Sequence, residues 1–291
     1  MISKKIISGT AEELLRRAET SLPRDVEKAL QAAYRAERED IAKTQLKAIL
    51  ENIKYARAKA VPICQDTGLP VFYVKIGSRL EADLGAIDAA IVEGVRNATK
   101  KVPLRPNAVH PLTRKNSGDN TGTGVPVIEV ELLQDADYLE LTVLPKGAGS
   151  ENMSSLRMLN PSEGIGGVKR FVLETVASAG GNSCPPTIIG VGIGGTADSA
   201  MSLSKKALLR RIGSRNADRG AAALEKGLLC DINGLGIGPM GLGGKTTALA
   251  VHIELAYCHT ASLPVAVSMQ CWANRRATAR IYGNRVEFPE P

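Results

Sequence analysis

Apolar positions along the chain follow two rhythms. Over residues 10–60 they recur every three or four places. Leu46, Ile49, Leu50 and Ile53 mark the i, i+3, i+4, i+7 stripe of a buried helix face. Thr10-Ala11-Glu12-Glu13 fits a capping box and predicts a helix start, with Glu13 reaching back to the Thr10 amide. Pro23 suits the first turn of a second helix, and Val61-Pro62 closes the region. From Leu69 to Ile76 the period shortens to two, with Val71, Tyr73 and Lys75 alternating against Phe72, Val74 and Ile76, which predicts a strand. Val127–Leu133 and Tyr138–Leu144 are two more β-rich runs. Asp135-Ala136-Asp137 between them predicts a hairpin.

The second half alternates differently. Pro161–Ala179 predicts a helix that ends at Gly180-Gly181. Thr187–Ile193 and Leu263–Met269 are short apolar runs that fit buried strands, the latter ending at Gln270-Cys271. Asp198–Arg211 predicts a helix, and so does the stretch from about Lys245 to Cys258, entered from the glycine-rich Gly234–Gly244. Arg276–Val286 closes a small sheet. Residues 105–124 form a long polar loop, and such loops inside a compact domain are often functional. No repeat or linker interrupts the chain. The expectation is one α/β domain over residues 1–291, with small mixed β-sheets packed against helices and not a doubly wound Rossmann fold.

Composition narrows the class. The 291 residues are 44% hydrophobic and 23% charged, enough for a sizeable core. No stretch approaches the ~18 consecutive apolar residues of a membrane helix. The start, Met1-Ile2-Ser3-Lys4-Lys5, lacks the apolar run of a signal peptide, so a cytoplasmic protein is expected. A net charge of +7 suggests an anionic partner: nucleic acid, a phosphate or a carboxylate. The few aromatics (1 Trp, 6 Tyr, 3 Phe) do not interleave with basic runs, which argues against base stacking.

Five widely spaced cysteines do not suit a disulfide framework in a chain of this size. Cys64, Cys184 and Cys271 each fall where a loop meets regular structure, the usual place for functional side chains. Cys230 and Cys258 fall in predicted helices beside Leu228-Leu229 and Ala256-Tyr257, and read as buried filler. Three thiolates could bind zinc or an iron–sulfur cluster, but the close C-x2-C pairs of zinc sites are missing. On spacing alone, unrelated buried cysteines remain the commoner outcome. Gly236-Ile237-Gly238-Pro239-Met240-Gly241 matches G-x-G-x-x-G, but Pro239 interrupts it and no clear strand precedes it. Gly244-Lys245-Thr246 ends like a P-loop whose first glycine falls on Pro239. Tight turns, or amides that approach a small anion, are the favoured reading over a dinucleotide. Arg105 could pair with a carboxylate, and the Lys146–Ser150 loop could present amides to one. Asp66 and His259 have ordinary structural readings as a turn residue and a lone histidine.

Together these segments resemble a known family. Cys64-Gln65-Asp66-Thr67-Gly68 with Pro70, Lys146-Gly147-Ala148-Gly149-Ser150-Glu151-Asn152, and Gly180-Gly181-Asn182-Ser183-Cys184-Pro185-Pro186 with Gly190–Gly195 and Gln270-Cys271 occur in order over nearly the whole chain. They look like the class I, iron–sulfur-dependent fumarate hydratases, relatives of L-tartrate dehydratase. The resemblance implies a [4Fe-4S] cluster held by Cys64, Cys184 and Cys271, with one iron open to substrate. It implies that Gln65, Arg105 and Gly149 bind a dicarboxylate substrate, and that Asp66 and His259 are catalytic, orienting substrate and relaying protons. Single-chain members carry a C-terminal domain with further cationic contacts and a threonine as base. This chain stops at Pro291, so it resembles an α subunit completed by a separate β subunit, with two αβ units in the assembly. The implied reaction is reversible hydration of fumarate to (S)-malate. The alternative is L-tartrate dehydration to oxaloacetate. From other classes, a nucleotide-binding regulatory module on the Gly236–Thr246 loop is the nearer rival and a basic nucleic-acid-binding protein the more distant one.

Overall fold

In the computed structural model residues 2–289 are described. In chain order the elements are α1 (Lys4–Thr20), α2 (Arg24–Ala36), α3 (Asp40–Lys59), β1 (Leu69–Gly77), α4 (Ile87–Lys101), β2 (Val127–Leu133), β3 (Leu139–Lys146), α5 (Ala148–Glu151), β4 (Ser155–Leu159), α6 (Gly164–Ala179), β5 (Thr187–Ile193), α7 (Ala197–Ala207), α8 (Arg219–Gly234), β6 (Ala248–Leu255), β7 (Leu263–Gln270), β8 (Ala277–Tyr282) and β9 (Arg285–Glu287). The chain divides into two compact units. The first takes the residues up to Pro23, Asn52–Gly147, and those from Arg275 onward; the second takes Arg24–Glu51 and Ala148–Asn274. Each is built on a small mixed sheet packed against helices, as the sequence predicts.

The first unit holds the sheet β2-β1-β3-β8-β9, in which β1 runs parallel to β2 and antiparallel to β3. The predicted β2–β3 hairpin does not form, because β1 lies between those two strands. The 134–137 turn crosses the end of β1 instead. The amides of Gly77, Ser78 and Arg79 donate to the carbonyls of Tyr138, Leu133 and Ala136. Gly77 permits the crossing, since a Cβ there would run into the Ala136 backbone. β1 is apolar on both faces and takes an inner position, whereas β2 exposes Val130 and Leu132 at the edge. Helices α1 and α4 bury Leu14, Leu15, Ile91 and Val95 against Phe72, Val74, Leu139 and Leu141. Helix α1 starts at Lys4, capped by Ser3, whose Oγ accepts from the Ile6 amide. The expected start at Thr10 is mid-helix, because Ile7, Ala11, Leu14 and Leu15 already form one buried stripe and extend the helix back. Glu13 accordingly pairs with Arg16 and Arg17 at 2.7 Å.

The second unit holds the sheet β4-β7-β5-β6, with β5 parallel to β6 and antiparallel to β7. Ile189 and Val191 of β5 join Phe171 and Val172 of α6 and Leu228 and Ile232 of α8 in one core. Gly190 and Gly192 alternate to the other face, against Ser204 and Ala200 of α7. Residues 248–255, expected to be helical, are strand β6. Ala, Leu and Glu favour a helix locally, but pairing with β5 buries Val251, His252 and Ile253, and tertiary burial overrides that preference. This edge strand is capped by side chains. The Ile253 amide donates to Glu225 Oε1 at 2.8 Å, and its carbonyl accepts from Asn216 and Arg210. Cys230 and Cys258, expected as buried filler, are both exposed. Cys230 lies two residues past Leu228, about 200° around α8 and away from its buried stripe. Cys258 lies in the connection after β6. No helix among the described residues is long and apolar enough to cross a membrane.

Candidate active site

In the second unit, sheet register brings two of the expected ligands together. Cys184 stands just before β5 and Cys271 just after β7. These strands are antiparallel with Ile188 opposite Gln270, so both thiols sit at one end of the sheet. The Trp272 amide donates to the Cys184 carbonyl at 3.2 Å and ties the two loops. Cys184 ends the Gly180–Ser183 turn with φ +52°, a left-handed conformation unusual for a residue with a Cβ. Both cysteines are half-buried, and no disulfide joins any of the five. Gln270 beside them is fully buried. Its Nε2 donates to the Ala273 carbonyl, while its Oε1 has no hydrogen-bond partner among the described residues.

Gly149 joins this group. A Cβ on it would lie 3.0 Å from the Asn182 carbonyl, so helix α5 stands against the turn that carries Cys184. The glycine-rich loop supports the same turn. The Met240 amide donates to the Pro185 carbonyl at 2.8 Å, and Gly241 lies against Gly181. That loop feeds a strand and presents no helix N-terminus to a phosphate, so its glycines serve tight turns and close backbone approach.

His259 is elsewhere. It follows β6 at the opposite end of the sheet, beyond Ile193 and Val265, roughly 17 Å along the strands from the cysteine end by strand rise. It is exposed, and its Nδ1 accepts from the Ala261 amide at 3.1 Å. With Cys258, Asp218 and Leu263 it lines an open, mainly apolar cavity of about 490 Å³. Within one chain, therefore, His259 does not share the site of Cys184 and Cys271.

In the first unit, Cys64–Gly68 forms the loop between α3 and β1. The Gly68 amide donates to Asp66 Oδ1 at 2.9 Å, closing an Asx turn. Thr67 Oγ1 accepts from the Arg105 amide at 3.1 Å and donates to the Arg105 carbonyl at 3.2 Å, so Arg105 is held beside this loop by its backbone. The Arg105 side chain and Gln65 are exposed; Cys64 and Asp66 are half-buried. Three residues that sequence reasoning did not assign complete the framework. Asn107 Nδ2 donates to the Gly68 carbonyl at 3.1 Å and reaches Asp66 Oδ1 and Thr67 Oγ1 at 3.4 Å. Arg275 Nη1 donates to the Asp66 carbonyl at 2.9 Å and to Glu19 Oε2 at 2.8 Å. Burial pushes the Glu19 carboxyl up from 4.5 to about 7; the Arg275 guanidinium opposes the rise and the Asp66 charge adds to it. Only the Asn107 loop carried a signal in the sequence, its length and polarity.

Among the described residues no group of three or more His, Cys, Asp or Glu side chains is arranged for a single metal ion. A cubane cluster makes a different demand, one thiolate per iron at separated corners. Half-buried thiols at loop ends, outside any disulfide, fit that donor chemistry.

Residues 8–280 match the profile of the fumarate hydratase (fumerase) family. The chain belongs to the class I fumarate hydratase family. It is a hydro-lyase of that family. A relative from Methanocaldococcus jannaschii, provisionally named L(+)-tartrate dehydratase subunit alpha, is 56% identical over 277 residues, covering 94% of this chain and 97% of its own. The L(+)-tartrate dehydratase subunit alpha of Escherichia coli strain UTI89 is 41% identical over 265 residues, covering 91% and 87%. That of strain K12 is 40% identical over the same length.

Proposed function

We propose that this fumarate hydratase family member is the α subunit of a [4Fe-4S]-dependent L(+)-tartrate dehydratase that forms oxaloacetate with a separate β subunit, as two αβ units. The observation that carries the chemistry is the pairing of Cys184 and Cys271 at one end of β5 and β7. The relatives' names favour tartrate over the expected fumarate and malate.

Cys64, Cys184 and Cys271 are the thiolates that would hold the cluster. When bound, an iron without a cysteine supplies Lewis acidity toward the substrate's hydroxyl and carboxylate oxygens. The chain's own residues bind and aim the substrate. Arg105 matches a carboxylate with a planar fork of donors. The Gly149 backbone approaches the Cys184 turn without a side chain in the way. Gln65 and Asp66 offer polar groups from the adjoining loop positions, and Asp66 is held in one orientation by the Gly68 amide and Asn107. Loss of water from tartrate gives the enol of oxaloacetate, which tautomerises to the ketone. The proton leaving carbon is taken by a base on the β subunit. His259 lies at the opposite end of its own chain's sheet from Cys184 and Cys271.

The test is anaerobic co-production with the β subunit, followed by assay of both tartrate enantiomers, (S)-malate and fumarate. The expected result is a kcat/KM for L(+)-tartrate at least ~10-fold above that for malate, as a site built to hydrogen-bond the second hydroxyl would give. Preference for malate or fumarate would return the assignment to fumarate hydration.

A further inference from the structure

Two charged side chains of the first unit are sealed from solvent and take no part in the chemistry above. Glu19, near the end of α1, and Arg275, before β8, are 0% and 1% exposed and 2.8 Å apart. A buried acid–base pair is a poor device for stability alone, because desolvation offsets the attraction of the two charges and keeps the carboxyl protonated to about pH 7. These two residues also grip the Cys64 loop on either side. The Glu19 carbonyl accepts from the Ile63 amide at 2.8 Å, just before Cys64. Arg275 Nη1 donates to the Asp66 carbonyl at 2.9 Å, two residues after it. Glu19 Oε1 has no hydrogen-bond partner among the described residues, so Glu19 holds the guanidinium through its Oε2. Gly147 adds an independent sign of a fitted site. A Cβ there would lie 3.1 Å from Asp66 Oδ2 and 3.7 Å from Arg275 Nη2, so the missing side chain leaves room for the Asp66 carboxylate beside the guanidinium.

We infer that Arg275, oriented by Glu19, is a positioning residue that fixes the Cys64–Asp66 segment and so aims the Cys64 thiol and the Asp66 carboxylate. The catalytic consequence rests on the proposed function; the hold on the loop does not. Arg275 touches the backbone of Asp66 and acts through it.

The experiment compares the complete αβ enzyme with its Arg275→Lys and Glu19→Gln variants. Amide hydrogen exchange over residues 63–68 reads the hold on the loop, and iron content with separate kcat and KM reads its consequence. In Arg275→Lys, exchange over 63–68 rises at least ~10-fold while β1 and β3 amides are unchanged, the signature of local opening. Its kcat falls ~10- to 100-fold with KM within ~3-fold and iron as in the parent, as misplaced groups predict. Glu19→Gln moves both readouts the same way by less, and it carries the test if Arg275→Lys does not fold. Unchanged exchange over 63–68 overturns the inference. A loosened loop with unchanged kcat reduces the pair to a structural one and also overturns it. A parent that turns over none of the four substrates sinks the proposed function instead, and the exchange arm still decides whether the pair holds the loop.

Discussion

Glu19 gives the folded chain a pH dependence of calculable sign. Its buried carboxyl keeps the proton to about pH 7, whereas the unfolded chain releases it near 4.5. Across that window the folded state binds more protons, so this group's stabilising contribution is complete below 4.5 and is lost as pH rises through 7. Denaturant unfolding at pH 5 and pH 7 should show stability falling with pH, and Glu19→Gln should flatten that slope. An unchanged slope would mean that Glu19 is ionised throughout. Neither Glu19 nor Arg275 stands out in the sequence, since they are 256 positions apart and each resembles an ordinary surface charge. Cys184 and Cys271 do stand out, because glycine- and proline-rich turns flank one and a strand end precedes the other. What chain position could not convey is register: Ile188 opposite Gln270 decides that these two cysteines share one end of the sheet and that His259 lies at the far end.

Elements differ in how far local pattern determines them. β1, β5 and β7 are apolar runs bounded by turns, so their existence follows from burial. β6 shares its alphabet with helices, and only pairing with β5 settles it. The β2–β3 turn has hairpin residues, but the partner choice is made by β1, a long-range competitor. Edge strand β6 makes its own prediction. Glu225 is largely buried and serves both the Ile253 amide and Arg210 at 2.6 Å. Glu225→Ala leaves the buried Ile253 amide without its acceptor and takes one carboxylate from Arg210, which keeps the Ile253 carbonyl, and should cost about 2–4 kcal/mol of unfolding free energy. Glu174→Ala removes an exposed pair with Arg157 and should cost under ~1 kcal/mol. Equal losses in urea unfolding would contradict the capping role of Glu225. Gly77→Ala should cost about 1–3 kcal/mol by forcing the 134–137 turn off the end of β1. A neutral result there would show that the turn can move aside.

Over the whole molecule, each unit carries its own sheet and its own core. The sequence shows no composition break between them, because the chain passes from one to the other at Pro23, Glu51, Gly147 and Asn274 without a linker. Family membership was legible because the motifs occur in order along nearly the whole chain. Substrate choice was not, since malate and tartrate demand the same chemistry and differ by one hydroxyl. The basic charge of +7 suits a dianionic substrate but does not distinguish the two. The most direct test of the account is the iron and acid-labile sulfide content of the αβ protein purified without oxygen, read with its visible absorbance. The expected result is about four irons and four sulfides per α chain, lost in Cys64→Ser, Cys184→Ser and Cys271→Ser and kept in Cys230→Ser. Colourless protein that resists anaerobic reconstitution, or full iron in any of those three variants, would contradict it.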